Sequence, residues 1–248
     1  MSRDFTEVAF NPVHFKKELD QFRELLKSKK ILAEREIQAL FKASLHLTAY
    51  IGTTFGNIGV AKYVAYEFQI MGDYGADIVF GNPEKQFCFV ELENGDPDSV
   101  LEKVGKKSTK EWSRRFEHGF SQIVDWFCHL DDFKKTDRFH KNFGYGHIDF
   151  VGLLLIGRNE GLDTDDIRRL RWRTHNVIVN SHPVVCMTYD DLHKELSEGY
   201  ERYSAAFKVE TTPAQTTSAP TPTPPSTQGD APGGDPRAPK ETPPKETS

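Results

Sequence analysis

The stretch FCFVELENGDPD (Phe87–Asp98) begins with Phe87, Cys88, Phe89, Val90 and Leu92, apolar side chains on both parities of a strand. A strand apolar on both sides is covered on both sides of a sheet, which points to an α/β core. Alternate strand residues point to one face, so Glu91 and Glu93 share one. Two like charges held together there repel, and burial raises the cost. A cation between them, a retained proton or an opening to water would each make the pair tolerable.

The elements around this strand are read from periodicity. Apolar residues at helical spacing predict helices over Val13–Leu26 and Ala33–Tyr50. A β-rich stretch comes next. Its clearest piece is a hairpin with arms Ala76–Phe80 and Gln86–Glu93, turning at Gly81, Asn82 and Pro83. Residues Gly95–Lys110 are polar and lysine-rich and read as a mobile loop. A third helix, Lys110–Leu130, carries the stripe Trp112, Phe116, Phe120, Ile123, Phe127 and Leu130, which reads as core. Asp131–Gly146 is a charged connection, and HIDFVGLLLIGR (His147–Arg158) holds a buried strand. An arginine-rich helix (Leu162–His175), short strands at Val177–Val179 and Val184–Thr188, and a helix over Asp190–Phe207 complete the pattern. The order predicts an α/β sandwich: a mixed sheet flanked by helices, its first pair antiparallel and its later strands parallel.

Ten of the 14 prolines fall after Val209, in the stretch TTPAQTTSAPTPTPPSTQGDAPGGDPRAPKETPPKETS. Such a segment buries too little apolar surface to offset its ordering entropy, so 209–248 is expected to be disordered. The rest divides into an N-terminal helical segment, 1–32, and a domain over 33–208. The net charge of −5 argues against a strongly basic nucleic-acid coat, though not against a local basic patch. Cys88, Cys128 and Cys186 stand far apart and read as small buried hydrophobes in a reducing compartment. No apolar run approaches the ~20 residues that span a bilayer. A cytoplasmic protein without a membrane partner is expected. The absence of a GxxxxGK[ST] loop argues against a nucleotide cofactor.

Asp77, on the first hairpin arm, is brought by cross-strand pairing toward Glu91 and Glu93. Three clustered carboxylates suit Mg²⁺ or Mn²⁺, which would activate a water or offset charge on a phosphate. Gln122, on the next helix, can reach the same place. This pattern, Asp77, 13 residues, Glu91-Leu92-Glu93, then a helix with Gln122, resembles the PD-(D/E)xK nuclease superfamily. With YGADIVF, FVELEN, FEHGFSQIVDW, GLLLIGR and MTYDDL in order, it is similar to the Shedu anti-phage nuclease domain (DUF4263).

The resemblance implies a restriction-endonuclease-like core that cuts DNA with Mg²⁺ and assembles as a homo-oligomer. It implies Asp77 and Glu91 as metal ligands, Gln122 as a supporting residue and Glu36 as a further acidic position. Glu93 falls where the wider superfamily most often has lysine. It would bind a second ion, act as a base, or mark a site that no longer cuts; Lys106, Lys107 and Arg158 are candidates for the missing charge. The competing reading is a nuclease-fold module that binds nucleic acid or protein without cutting. Arg168, Arg169, Arg171 and Arg173 read as a solvated helix face, with phosphate contact as the alternative.

Overall fold

Seven strands form one sheet, β1 (Thr6–Glu7), β2 (Tyr63–Met71), β3 (Tyr74–Gly81), β4 (Gln86–Leu92), β7 (Asp149–Leu155), β8 (Ile178–Val179) and β9 (His182–Met187). Their spatial order is β1-β2-β3-β4-β7-β9-β8. A separate two-stranded piece pairs β5 (Leu101–Glu102) with β6 (Glu111–Trp112). The helices are α1 (Pro12–Ser28), α2 (Glu34–Ala43), α3 (Leu45–Ile51), α4 (Arg114–Phe133), α5 (Asp137–Phe143), α6 (Thr164–Asn176) and α7 (Tyr189–Glu210). The computed structural model describes residues 5–144 and 146–210, with 206–210 as backbone only. Nearly all of the proline-rich segment expected to be disordered, from 211 onward, lies outside the described residues.

The mixed sheet is the one expected. β2, β3 and β4 are antiparallel and β4–β7 and β7–β9 are parallel, whereas β8, also expected to be a parallel addition, pairs antiparallel with β9. β4 is central and doubly covered, as its apolar parities require. Cys88, Val90 and Leu92 join a core with Phe15, Phe22, Phe41 and Tyr189, so α1, α2 and α7 cover that side. Phe87 and Phe89 join a second core with Phe116, Ile123, Phe127 and Phe150, beneath α4. Phe15 and Phe22 are fully buried, so α1 packs into the same core as residues beyond 32.

Four local expectations are corrected. The helix expected over Ala33–Tyr50 is two helices, broken at Ser44 with φ −124° and ψ 67°. The Tyr66 hydroxyl donates to the Phe41 carbonyl at 2.9 Å, occupying the acceptor that continuation would use. Residues 95–110 are not wholly an exposed loop: Val100 and Leu101 are fully buried, and β5 forms there. The third helix starts later, at Arg114, because the Ser113 side chain caps it by accepting from the Phe116 N–H. The charged connection contains α5, capped by Thr136, with buried Phe139 and Phe143 on its inner side and Gly144 left-handed at its end. In addition, Cys128 is exposed, so only Cys88 and Cys186 fit the expectation of burial.

The packing of α4 on the sheet depends on Gly152 of β7. A Cβ there would lie 2.4 Å from Ile123 Cγ2 and 3.0 Å from Phe127 Cζ. Gly152→Ala is expected to destabilise the fold by about 1–3 kcal/mol through overpacking, read in thermal or denaturant unfolding. An unchanged melting temperature would mean that α4 can retreat from the sheet.

Candidate active site

The site lies where β4 ends, between the start of α2 and the first turns of α4. The Ile78↔Val90 register continues toward Asp77 and Glu91, which meet there as cross-strand pairing predicts. Asp77 Oδ2 accepts from the Leu92 backbone N–H at 2.8 Å, and Oδ1 accepts from Gln38 Nε2 at 3.0 Å. Glu91 is 8 % exposed and Glu93 only 4 %. The backbone beyond β4 is held in place: the Glu93 N–H donates to the Leu155 carbonyl at 2.9 Å. The buried Tyr189 hydroxyl lies 2.6 Å from the Glu93 carbonyl oxygen and 2.9 Å from that of Leu155.

Asn94, just beyond the end of β4, ties the strand end to α2 by a hydrogen bond. Its Oδ1 accepts from the Glu34 N–H at 3.0 Å, standing in for a side-chain cap that Ala33 cannot supply. Glu34 is thereby fixed beside the cluster. Gln38, one turn later, donates to both Glu34 and Asp77 and ties the two carboxylates together. On the other flank, α4 passes close to Glu93. A Cβ on Gly119 would lie 2.7 Å from Leu154 Cδ1 and 3.1 Å from Glu93 Cγ, so glycine leaves room for the carboxylate. Gln122 faces Glu91, and its Oε1 is buried with no partner.

The electrostatics reflect this crowding. Burial, then the charges of Asp77, Glu93 and Glu34, push Glu91 up to about 9. Burial pushes Glu93 up to about 7, against the pull of Arg115, whose Nη1 lies 3.6 Å from Glu93 Oε2. Asp77 rises to about 6, again mainly by burial, with the Leu92 N–H opposing. One pKa unit corresponds to about 1.4 kcal/mol, so Glu91 resists ionisation by several kcal/mol. The arrangement calls for protons or a cation.

The four sequence-predicted residues Asp77, Glu91, Glu93 and Gln122 come together. Glu36 does not: it pairs with Lys29 and accepts from the Ala33 N–H, a role at the helix start. At 3.6 residues per turn, Glu36 is about 200° around the helix from Glu34, so only one of them can face the site. The i,i+4 spacing of Glu34 and Gln38 was the available signal for these two. Two of the three basic candidates are engaged elsewhere. Arg158 makes a two-pronged pair with Asp190 and donates to the Leu26 and Lys29 carbonyls. Lys107 pairs with Glu111. In α6, Arg173 grips Glu117 and stacks over Phe120, and Arg168 pairs with Asp165, so these two serve packing and the helix surface.

Among the described residues no three His, Cys, Asp or Glu side chains are gathered closely enough to hold a metal ion by themselves. Both Asp77 oxygens already accept from protein donors. The donor set nonetheless suits a hard cation. It is all oxygen, it includes the orphaned Gln122 Oε1, and Mg²⁺ commonly takes one or two carboxylates while keeping several waters.

A mixed α/β sheet with a buried acidic cluster at the end of its central strand defines the class of protein. A model of the family described as Shedu protein SduA, C-terminal, matches residues 32–193. The chain belongs to that family, and so to the Shedu defence proteins. No curated protein matches it. No helix among the described residues is long and apolar enough to cross a membrane.

The raised carboxyl pKa values fix a pH dependence. Between the ordinary carboxylate range and about 9, the folded chain retains protons that the unfolded chain has released. Stability of the metal-free protein therefore falls as pH rises through that window. The melting temperature is expected to drop from pH 5 to pH 9, with a shallower slope in Glu91→Gln. Equal slopes in the two proteins would show that Glu91 titrates normally.

Proposed function

We propose that this chain is a Mg²⁺- or Mn²⁺-dependent DNA endonuclease of PD-(D/E)xK type, acting in Shedu defence. The observation that carries the reading is the convergence of Asp77, Glu91 and Glu93, with Glu34 and Gln122, on one buried corner of the sheet. Family membership and the oxygen-only donor set support it.

Glu91, the carboxylate whose pKa is raised furthest, would hold the ion with Asp77, waters completing its shell. The bound ion supplies Lewis acidity toward a phosphate oxygen and a water of lowered pKa. Gln38 orients Asp77 through its amide, and the Leu92 N–H fixes the second oxygen. Glu93, raised to about 7, suits a base that accepts the proton of an attacking water near neutral pH. Gln122 orients Glu91 and offers its free Oε1 to the hydrated ion.

The competing reading is a module that binds DNA without cutting. It is favoured by the hydrogen bonds already made by both Asp77 oxygens and by the lack, among the described residues, of three acidic or His/Cys side chains close enough to share an ion. Calorimetry separates the two: DNA binding with no divalent ion bound at millimolar concentration supports the module.

Purified protein is expected to nick or linearise plasmid DNA with Mg²⁺ or Mn²⁺ and not with chelator. Asp77→Asn and Glu91→Gln should reduce cutting to background. Gln38→Ala should slow it by about 10–100-fold, as loss of a ligand's outer partner does. Cutting that survives both carboxamide variants would rule the mechanism out.

A further inference from the structure

A phosphodiester carries negative charge, and the proposed site presents Asp77, Glu91, Glu93 and Glu34 to it. Some fixed cation is needed at the point of approach, beyond any ion the carboxylates themselves absorb. Among the described residues, only one basic side chain lies within 4 Å of any of these four carboxylates: Arg115, 3.6 Å from Glu93. Lys42, whose charge also reaches Asp77, is held by Glu67, and Arg158, Lys107, Arg173 and Lys110 are held by Asp190, Glu111, Glu117 and Asp166.

Arg115 differs from these in two respects. Its side chain is 41 % exposed, so it faces both the cluster and water. Its pair with Glu93 is long, at 3.6 Å, and is made through Nη1, which leaves the other donors of the guanidinium available to a ligand. It also stands in the first turn of the 20-residue α4, where the positive end of the helix dipole favours an anion. A cavity of about 270 Å³ opens beside it, lined by Asp96, Asp98 and Glu102 as well as by Arg114 and Arg115, so the two arginines are the cations of an otherwise acidic mouth. Gly119, one turn further on, keeps α4 against Glu93 and so keeps Arg115 at the rim.

We propose that Arg115 binds a non-bridging oxygen of the scissile phosphate and offsets the charge that develops there, supplying the positive charge that Glu93 cannot. This rests on the nuclease reading. Arg115 forms no covalent bond and transfers no proton; it holds the phosphate against the carboxylate corner. Arginine suits the task because its planar fork gives two parallel hydrogen bonds to a phosphate.

The test compares wild type, Arg115→Ala, Arg115→Lys and, as an exposed control on α6, Arg168→Ala. Three quantities are measured: Mn²⁺ affinity by calorimetry without DNA, plasmid cutting with Mg²⁺, and the salt dependence of duplex DNA binding with Ca²⁺. Arg115→Ala is expected to keep Mn²⁺ affinity at or above wild type. It should lose about 100-fold in cutting, as removal of one preorganised donor does. The slope of log affinity against log salt should become shallower by about one unit. Arg115→Lys should recover part of the cutting and most of the slope, and Arg168→Ala should leave cutting unchanged. Wild-type cutting by Arg115→Ala would overturn the proposal, as would loss of Mn²⁺ binding in step with cutting. If wild type itself does not cut, the nuclease reading fails. Arg115 is then judged on binding alone, and an unchanged salt slope in Arg115→Ala overturns its phosphate contact.

Discussion

Mutual repulsion of carboxylates at the buried end of β4 is the constraint around which this corner of the molecule is arranged. β4 must be apolar on both parities because helices cover both faces of the sheet, yet it ends in two glutamates. The surrounding contacts hold these charges rather than disperse them. Asn94 docks α2 so that Glu34 joins them, and Tyr189 holds the Glu93 and Leu155 carbonyls together. Gly119 removes the side chain that would push Glu93 away. A fold of this size has a net stability of about 5–15 kcal/mol, so an uncompensated cluster of this kind is a large liability. Such an arrangement persists where the liability serves a ligand.

The two flanks of the cluster differ in chemistry. Toward α2 the carboxylates meet neutral amides, Gln38 and the Leu92 N–H, which fix orientation without removing charge. Toward α4 they meet an orphaned Gln122 oxygen and then the Arg115 guanidinium at the rim. Arg115 thus stands on the solvent side of Glu93, and on the proposed reading Glu93 would lie between a divalent ion and an incoming phosphate.

Much of this was legible in the sequence because it rests on local rules. The hairpin could be read from two apolar runs flanking Gly81, Asn82 and Pro83, and its pairing brought Asp77 to Glu91. The parallel additions of β7 and β9 were implied by strand-helix-strand order. What escaped depends on tertiary contacts. The break at Ser44 reflects a hydrogen bond from Tyr66 to Phe41, 25 residues apart in the chain. The identity of the α2 carboxylate turned on which side of the helix Asn94 docks, which favours Glu34 over Glu36. α5 carried its own signals, Thr136, Phe139, Phe143 and Gly144, hidden within a charged segment. Arg115 has no signal of its own in the sequence; only the approach of α4 to Glu93 sets it apart.

Carboxyl-¹³C NMR of Glu91, recorded against pH with and without Mg²⁺, tests most directly whether this corner is a cation site. A buried, crowded Glu91 predicts a midpoint well above 7 in the metal-free protein, near 9, and a fall below the neutral range with saturating Mg²⁺. A midpoint in the ordinary glutamate range, unmoved by Mg²⁺, would contradict it.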